Sequence, residues 1–321
     1  MNTTDNSAFT ERSYGTRPLT AGESLRAEFG RKIYKLALDI GCTCPNRDGR
    51  AGSRGCIFCS SAGGGDFAER FTGRQEELDR AKQRLGRKID VGKAGFIAYF
   101  QNFTNTYGPA ERLEPLFNAA LSDPSVKALS IATRPDCLPP EIIEMLERLA
   151  KKTVLFVELG LQTIHEKTAA FIRRGYPLET YDRAVSDLKK AGARVVTHLI
   201  FGLPYPAEGD RLVPESREMM LESVKYVARS GVCGVKFQLL HVLKGTDLAG
   251  LYLAGAFPAL TEEEYRELIV SAVRLLPPEI VIHRFTGDPP RKLLIAPAWC
   301  TDKKGVLNRL NKALDSAFGA G

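Results

Sequence analysis

The chain has 321 residues, of which 44% are hydrophobic and 26% charged, and its formal net charge is +7. This size and composition are typical of a globular protein with a large buried core, and they exclude a low-complexity chain. The excess of positive charge indicates either a polyanionic partner or an ordinary solvated basic surface.

Signals for membranes and secretion are weak in this sequence. No apolar run reaches the roughly 18 residues that a membrane-spanning helix needs, and residues 1–15 lack the apolar core of a signal peptide. The seven cysteines are an odd number, which argues against a secreted disulfide framework and for reduced thiols that bind metal. We therefore expect the protein to remain in the cytoplasm.

The first predicted elements surround a loop rich in cysteine and glycine. Residues 1–30 are mostly polar, and we expect a flexible segment there. Apolar and polar residues alternate over 31–40, which predicts a strand, and this strand leads directly into the loop over 41–67. A helix of mixed charge is predicted over 75–86.

From residue 93 onward, short apolar runs alternate with amphipathic segments, which is typical of parallel β/α units. Strands are predicted over 95–100, 126–132, 153–159, 194–201, 234–240 and 280–285, and helices near 110–121, 140–150, 178–191, 215–229 and 262–275. With the first strand, this predicts an α/β fold, a partial (β/α)6-type barrel. We expect a core barrel over 31–260 and a short helical, basic C-terminal extension over 261–321.

Three cysteines of the loop have the spacing of a metal site. Eleven residues separate Cys44 from Cys56, and two residues separate Cys56 from Cys59. A Cys-x-x-Cys pair serves both zinc and iron–sulfur clusters, so three thiolates can converge here on one soft-metal centre.

The number of ligands favours a cluster over zinc. A structural zinc needs four ligands, and the fourth would be Cys42, which is separated from Cys44 by a single residue. A [4Fe–4S] cluster held by three cysteines leaves one iron open, as enzymes that bind S-adenosylmethionine (SAM) at that iron require. The aromatic Phe58, next to the last cysteine, fits a shielded cluster. Zinc stays an open alternative at this point.

Polar residues follow several of the predicted strands. The stretches are 101–107, 133–137, 158–163 and 198–204. The carboxyl ends of parallel strands meet at one rim, where ligands bind in such folds, and amides and hydroxyls suit a small polar ligand. Any one of these stretches alone would be an ordinary solvated loop, but four at one rim predict a binding cavity.

The roles of several other residues are not decided by the sequence. Glu158 either holds a cationic group in the cavity or is a salt-bridged wall residue. His241 and Lys244, after the strand over 234–240, are candidates for substrate contact. The remaining cysteines receive no assigned role; they are Cys42, Cys137, Cys233 and Cys300.

Six motifs together resemble a known family. They are CPNRDG, GCIFC, TRPDC, ELGLQT, RRGY and THLIFGLP, and they lie within residues 31–314. The combination is similar to the radical SAM superfamily and, within it, to the elongator-like group typified by the bacterial proteins YhcC and YtqA.

The resemblance implies a set of site residues. It implies that Cys44, Cys56 and Cys59 bind a [4Fe–4S] cluster. It implies that SAM is bound by Gln101, Asn102, Thr104, Gln162, Arg174 and His198. The sequence departs from relatives at His198, where coproporphyrinogen-type enzymes have aspartate, and at Ala132, where elongator subunits have glutamate. It assigns no catalytic side chain.

The resemblance also implies an activity and partners. A reduced cluster would split SAM into methionine and a 5′-deoxyadenosyl radical that removes hydrogen from carbon, with an electron from a donor such as flavodoxin or ferredoxin. The implied substrate is tRNA, whose wobble uridine would be trimmed from 5-carboxymethylaminomethyl to 5-aminomethyl. A basic rim suits RNA: residues 291–321 hold six Lys or Arg against two acids, and Arg47, Arg50 and Arg54 lie beside the cysteines.

Two other functional classes remain open from the sequence. A radical SAM enzyme acting on a small molecule, such as a porphyrinogen, would cleave SAM without tRNA. A zinc-stapled RNA-binding module would bind RNA without iron and without SAM cleavage.

Overall fold

The structure, a computed structural model, describes residues 17–61, 63, 68–86 and 89–319. Most of the segment predicted to be flexible, residues 1–16, and part of the loop over 41–67 lie outside the described residues. In the part of the chain that is described, no helix is both long and apolar enough to cross a membrane.

Strands and helices alternate along the described chain. The strands are β1 Ile33–Asp39, β2 Glu69–Arg70, β3 Gly95–Phe100, β4 Val126–Thr133, β5 Val154–Gln162, β6 Arg194–Phe201, β7 Pro204–Pro206, β8 Leu212–Pro214, β9 Gly234–Leu239, β10 Val242–Leu243, β11 Val281–Arg284 and β12 Leu294–Ala296. The helices are α1 Ala21–Phe29, α2 Gln75–Gly86, α3 Ala110–Leu121, α4 Pro140–Ala150, α5 Glu166–Phe171, α6 Leu178–Lys190, α7 Arg217–Arg229, α8 Asp247–Leu253, α9 Glu262–Arg274 and α10 Lys303–Phe318.

Eight strands form one sheet, in the order β11-β9-β6-β5-β4-β3-β1-β2, and each neighbouring pair is parallel. Parallel sheets are covered on both faces, so their strands are strongly apolar, and every residue of β3 is buried. The predicted α/β fold with a mainly parallel sheet is confirmed. All predicted strands and helices are present, with ends shifted by at most three residues.

The helices cover the sheet through apolar stripes. In α4, for example, Ile142, Met145, Leu146 and Leu149 are buried, and this spacing places them on one face. These side chains join the main hydrophobic core, which runs between the helices and the outer face of the sheet. The inner face is therefore left for a second, smaller core and for the site.

Helix α1 is an element that the sequence analysis did not predict, since residues 1–30 were expected to be flexible. It begins at a capping box, in which Thr20 and Glu23 bind each other's backbone N–H groups. Its Leu25 is buried with Ile97, Ala128, Phe156 and Val196, which point inward from four neighbouring strands. Helix α1 therefore plugs the N-terminal end of the sheet's interior.

The sheet continues beyond residue 260, the predicted end of the core barrel. Strand β11 pairs with β9, and Thr20 bridges to Ile282 of β11. The C-terminal residues therefore contribute a strand to the same sheet as well as the helices α9 and α10.

Candidate active site

Alternate residues of each strand point to the interior and form layers along the strand direction. The lowest layer is the apolar one packed on α1. The middle layer is polar and consists of Lys35, Tyr99, Ser130, Glu158, His198 and Lys236. The upper layer lies at the C-terminal strand ends, lines a cavity and includes Gln101, Ala132, Gly160, Ile200 and Gln238.

This cavity has a volume of about 320 Å³. Eight of the nine predicted site residues line it, namely Cys44, Cys56, Cys59, Gln101, Thr104, Gln162, Arg174 and His198. Asn102 is the exception: it is buried, and its carbonyl accepts a hydrogen bond from Asn105 Nδ2 at 3.1 Å. The structure thus brings the predicted residues together, while their roles stay predictions.

The cysteine loop is fastened to the turn of the RRGY motif by Asn46. Asn46 Nδ2 donates to the carbonyls of Arg173 at 2.6 Å and Arg174 at 3.2 Å, and it lies 3.5 Å from Cys56 Sγ. Gly175 belongs to the same turn with φ +84°, and a Cβ there would lie 2.6 Å from Asn46 Oδ1. Two motifs that are distant in sequence therefore position one thiol.

The thiols of Cys56 and Cys59 interact directly. A hydrogen bond from Cys59 lowers the pKa of Cys56 to about 6, and the positive charge of Arg134 acts in the same direction. The same hydrogen bond, together with burial, raises the pKa of Cys59. The pair therefore carries one thiolate readily, and thiolates are the ligands of iron and zinc.

The donor set fits a cluster better than a zinc ion. Among the described residues, no three Cys, His, Asp or Glu side chains are grouped closely enough to hold one metal ion, as a closed tetrahedral zinc site would need. A [4Fe–4S] cluster is larger and binds each thiolate to a different iron. Cys42 is buried outside the described cavity lining, and Arg112 Nη2 donates to its sulfur at 3.2 Å.

Backbone strain is concentrated around the cavity. Three non-glycine residues in the described chain have positive φ angles: Phe103 at 54°, Gln162 at 67° and Arg173 at 59°. Phe103 and Gln162 line the cavity, and Arg173 precedes the lining residue Arg174. Such conformations are unfavourable for side chains other than glycine and collect at functional sites.

Arg174 is buried and binds protein groups. Its Nη1 donates to the carbonyl of Thr163 at 2.7 Å, its Nε to that of Tyr176 at 3.0 Å, and its Nη2 to Glu166 Oε1 at 2.8 Å. These bonds hold the RRGY turn against α5 and the end of β5. A contact with SAM would have to use the N–H groups that remain, so Arg174 also has a structural role.

Glu158 is the centre of the polar layer and is a salt-bridged wall residue, the second of its two interpretations. Its carboxylate accepts from Lys35 Nζ at 2.9 Å and Ser130 Oγ at 2.7 Å, and it also binds Lys236 Nζ. Burial alone would raise the pKa of Glu158, but the charges of Lys236 and Lys35 hold it well below its usual range.

His198 contacts Glu158 and is uncharged at neutral pH. Its Nε2 lies 3.2 Å from Glu158 Oε2, while burial and the nearby charge of Lys236 lower the pKa of His198 to about 4. A neutral imidazole keeps one nitrogen as a donor and one as an acceptor, so the ring can bridge Glu158 and a ligand in the cavity.

Part of the cavity wall was not predicted from the sequence. Gln238, Arg284 and Asp288 line the cavity, and Lys236 lies in the polar layer below. A lysine and a glutamine two residues apart in the apolar strand β9 are a signal of inward polar positions. His241, a predicted substrate-contact residue, also lines the cavity, whereas Lys244 is exposed outside its described lining.

Comparison with protein families finds two matches. The Radical SAM superfamily matches residues 46–213, just over half of the chain. The Radical_SAM C-terminal domain matches residues 232–316.

Individual proteins also match this chain. YtqA of Bacillus subtilis (strain 168) is 44% identical over 298 residues, which cover 92% of this chain and 89% of that protein. A tRNA uridine(34) acetyltransferase of Methanocaldococcus jannaschii is 31% identical over 169 residues, which cover 52% of this chain and 29% of that protein. The solved structure of Methanocaldococcus infernus Elp3 with an N-terminal deletion aligns with a TM-score of 0.61, at 20% identity, over 87% of this chain and 63% of that chain. The last likeness concerns the fold alone.

Proposed function

The chain belongs to the radical SAM superfamily, and from that premise we propose that it trims the wobble uridine of tRNA from 5-carboxymethylaminomethyl to 5-aminomethyluridine. The observation that carries the proposal is the similarity of half the chain to a tRNA uridine(34) acetyltransferase. Because tRNA and one-electron carriers of the flavodoxin or ferredoxin class are found in the cytoplasm, we place the reaction there.

The cofactors of this enzyme follow from its family. It is a radical SAM enzyme and uses a [4Fe–4S] cluster and SAM, so the zinc-stapled module is not supported. When bound, these cofactors supply a carbon-centred radical that can take a hydrogen atom from an unactivated carbon. We propose that Cys44, Cys56 and Cys59 hold the cluster, since all three thiols line the cavity.

SAM is proposed to lie between the cysteine loop and the strand ends. Gln101 and Thr104 follow β3, the neighbour of β1 in the sheet, and Gln162 ends β5 in a strained conformation. We assign SAM contacts to these three residues and keep Asn102, Arg174 and His198 as secondary candidates. A cavity enclosed by strand ends also excludes water from the reacting atoms.

The proposed reaction balances with a one-electron partner. The methylene carbon of the carboxymethyl group first loses a hydrogen atom and then one further electron with a proton, which leaves an imine. Water adds to this carbon, and the bond between it and the amine nitrogen breaks. The products are 5-aminomethyluridine and glyoxylate. A carrier of the flavodoxin or ferredoxin class supplies the electron that starts the reaction, and the later electron returns to the cofactor site or to a carrier.

The basic surface that would meet RNA is smaller than the composition suggests. Lys303 pairs with Asp288, and Arg309 pairs with Glu262, so both are neutralised by protein carboxylates. Lys292 and Lys304 are exposed and make no ion pair with any residue that the structure describes. Lys292 lies two residues from Pro290 at the cavity lining, which puts this positive charge beside the entrance.

Nucleoside mass spectrometry tests the proposal. Transfer RNA from cells that lack the gene should accumulate 5-carboxymethylaminomethyluridine at the wobble position and lose its aminomethyl products. The anaerobically reconstituted enzyme, given reductant and that tRNA, should form 5′-deoxyadenosine and glyoxylate in proportion to product. Two results would reject tRNA and point to a small-molecule substrate. They are identical wobble-uridine modification with and without the gene, and a rate of SAM cleavage that does not change when tRNA is added.

A further inference from the structure

One wall of the cavity holds two N–H donors without an acceptor. In the described chain, the buried atoms Arg284 Nε and His241 Nε2 have no hydrogen-bond partner, and both residues line the cavity. His241 is only 9% exposed. Buried donors in native proteins are almost always paired, so two orphans in one wall indicate a missing ligand atom.

The amide of Gln238 fixes which groups are donors. Arg284 Nη2 donates to Gln238 Oε1, and a guanidinium cannot accept. The other end of the amide is therefore its NH₂, which donates to the carbonyl of Leu239 at 3.1 Å and faces His241 Nδ1 at 3.3 Å. His241 accepts at Nδ1, so its proton is on Nε2, the orphaned atom. Burial lowers the pKa of His241 to about 4, which agrees with this neutral ring.

The surrounding charge favours an anion. Among the described residues of this interior, Lys35 and Arg284 are cationic, and burial holds the pKa of Lys236 well below its usual range. Glu158 is the carboxylate that binds both lysines. Asp288 also lines the cavity, but it is paired with Lys303 at the surface. The field at this wall is therefore net positive, and a charged donor beside a neutral one matches the two oxygens of a carboxylate.

The wall lies beside the segment that follows β9. Gln238 and Arg284 belong to β9 and β11, and Ile57 of the cysteine loop packs in one apolar cluster with Leu240 and Val242, the residues on either side of His241. A carboxylate of the substrate or of SAM would therefore meet the same donors, and the affinity measurements below distinguish the two.

We propose that Arg284 and His241, aligned by Gln238, form a subsite for a carboxylate carried by the substrate. This inference rests on the proposed function, because the carboxymethylaminomethyl group ends in a carboxylate. The subsite would select that side chain over neutral ones and hold its methylene carbon inside the cavity. Arg284 and His241 would then determine specificity.

The test compares two synthetic anticodon stem-loops, one with 5-carboxymethylaminomethyluridine and one with its neutral carboxamide. Binding is measured on cluster-loaded protein with SAM. The wild type should bind the acid at least about 10-fold more tightly than the amide, as expected for a lost charged hydrogen bond. Arg284→Met should bring this ratio near one, while Arg183→Met, at an exposed arginine on α6, should keep it.

A second variant tests the subsite independently in case Arg284→Met does not fold. Gln238→Glu has nearly the same shape and places a carboxylate beside Arg284 and His241, where it competes with the substrate. The acid-to-amide ratio should fall as it does in Arg284→Met, with iron content retained.

The outcomes separate the two proposals. Suppose that the wild type converts the acid stem-loop but binds the acid and the amide equally well, or that both variants keep the wild-type preference for the acid. Either result overturns the subsite and leaves the proposed function standing. A loss of SAM affinity in Arg284→Met that matches the loss of acid binding overturns it as well, because the anion would then belong to SAM. Failure to bind or convert either stem-loop rejects the function, and the subsite with it.

Discussion

Cysteine substitutions separate the three thiols that face the cavity from the one that does not. Replacing Cys44, Cys56 or Cys59 by Ala should abolish the brown absorbance and the iron content of the anaerobically reconstituted protein. Cys42→Ala should retain both and cost about 1 kcal/mol of stability, because it removes a small buried group bonded to Arg112. Loss of iron from Cys42→Ala with retention in Cys44→Ala would overturn this ligand set.

Single residues were predictable where they stand out from their neighbours in the sequence. Cys44, Cys56 and Cys59 stand out by their spacing, and Glu158 interrupts an apolar strand; all four line the cavity. Gln238 and Arg284 were missed because a polar residue in a strand can face either side of the sheet, and the direction depends on register. The fold decides that both point to one wall. Arg174 is predicted to contact SAM. Its hydrogen bonds to protein carbonyls could not be predicted, because they depend on a turn that no local sequence pattern specifies.

At the scale of elements, helix α1 is expected to stabilise the barrel from its N-terminal end. Leu25→Ala should lower the free energy of unfolding by about 2–4 kcal/mol, because its buried side chain fills the space between four strands. Leu19→Ala, at a neighbouring leucine that is 41% exposed, is the matched control and should change stability by less than about 1 kcal/mol. Urea unfolding of both variants measures the difference; equal losses would show that α1 is not a plug.

The predicted elements differ in accuracy for a physical reason. Strands and helices with a clear apolar period were located within three residues, because burial on one or both faces dictates the pattern. Helix α1 has a single buried residue, so its composition resembles that of a flexible tail. Its stability comes from capping and from the contact of Leu25 with the inward side chains of four strands. These strands come together only in the folded protein.

The whole molecule should lose stability in mild acid because it buries neutral histidines. Burial lowers the pKa of His283 to about 3 from its ordinary 6.5, so the unfolded chain binds a proton at pH values where the folded chain does not. Stability is therefore complete above about pH 6.5 and falls as the pH drops towards 3. His283→Phe, which replaces a ring packed edge-on against Phe156, should reduce this slope by about 1 kcal/mol per pH unit between pH 6 and 5. Urea unfolding at several pH values measures it, and an unchanged slope would contradict a neutral His283 in the folded protein.

Binding of tRNA is the property that depends on the charge of the whole surface. Lys292 lies two residues from the cavity lining, and Lys304 is exposed in the first turn of α10. Each phosphate that they neutralise releases counterions. Replacing both by Ala should weaken binding of all tRNAs alike, since phosphate contacts carry no sequence information. The slope of log K against log salt should become shallower by about 1.5. The control is Lys189→Ala with Lys190→Ala: these lysines end α6 just before β6 begins, at the edge of the sheet opposite the cavity. Filter binding from 50 to 300 mM salt distinguishes the pairs, and equal slopes in both double variants would place the RNA on another face of the molecule.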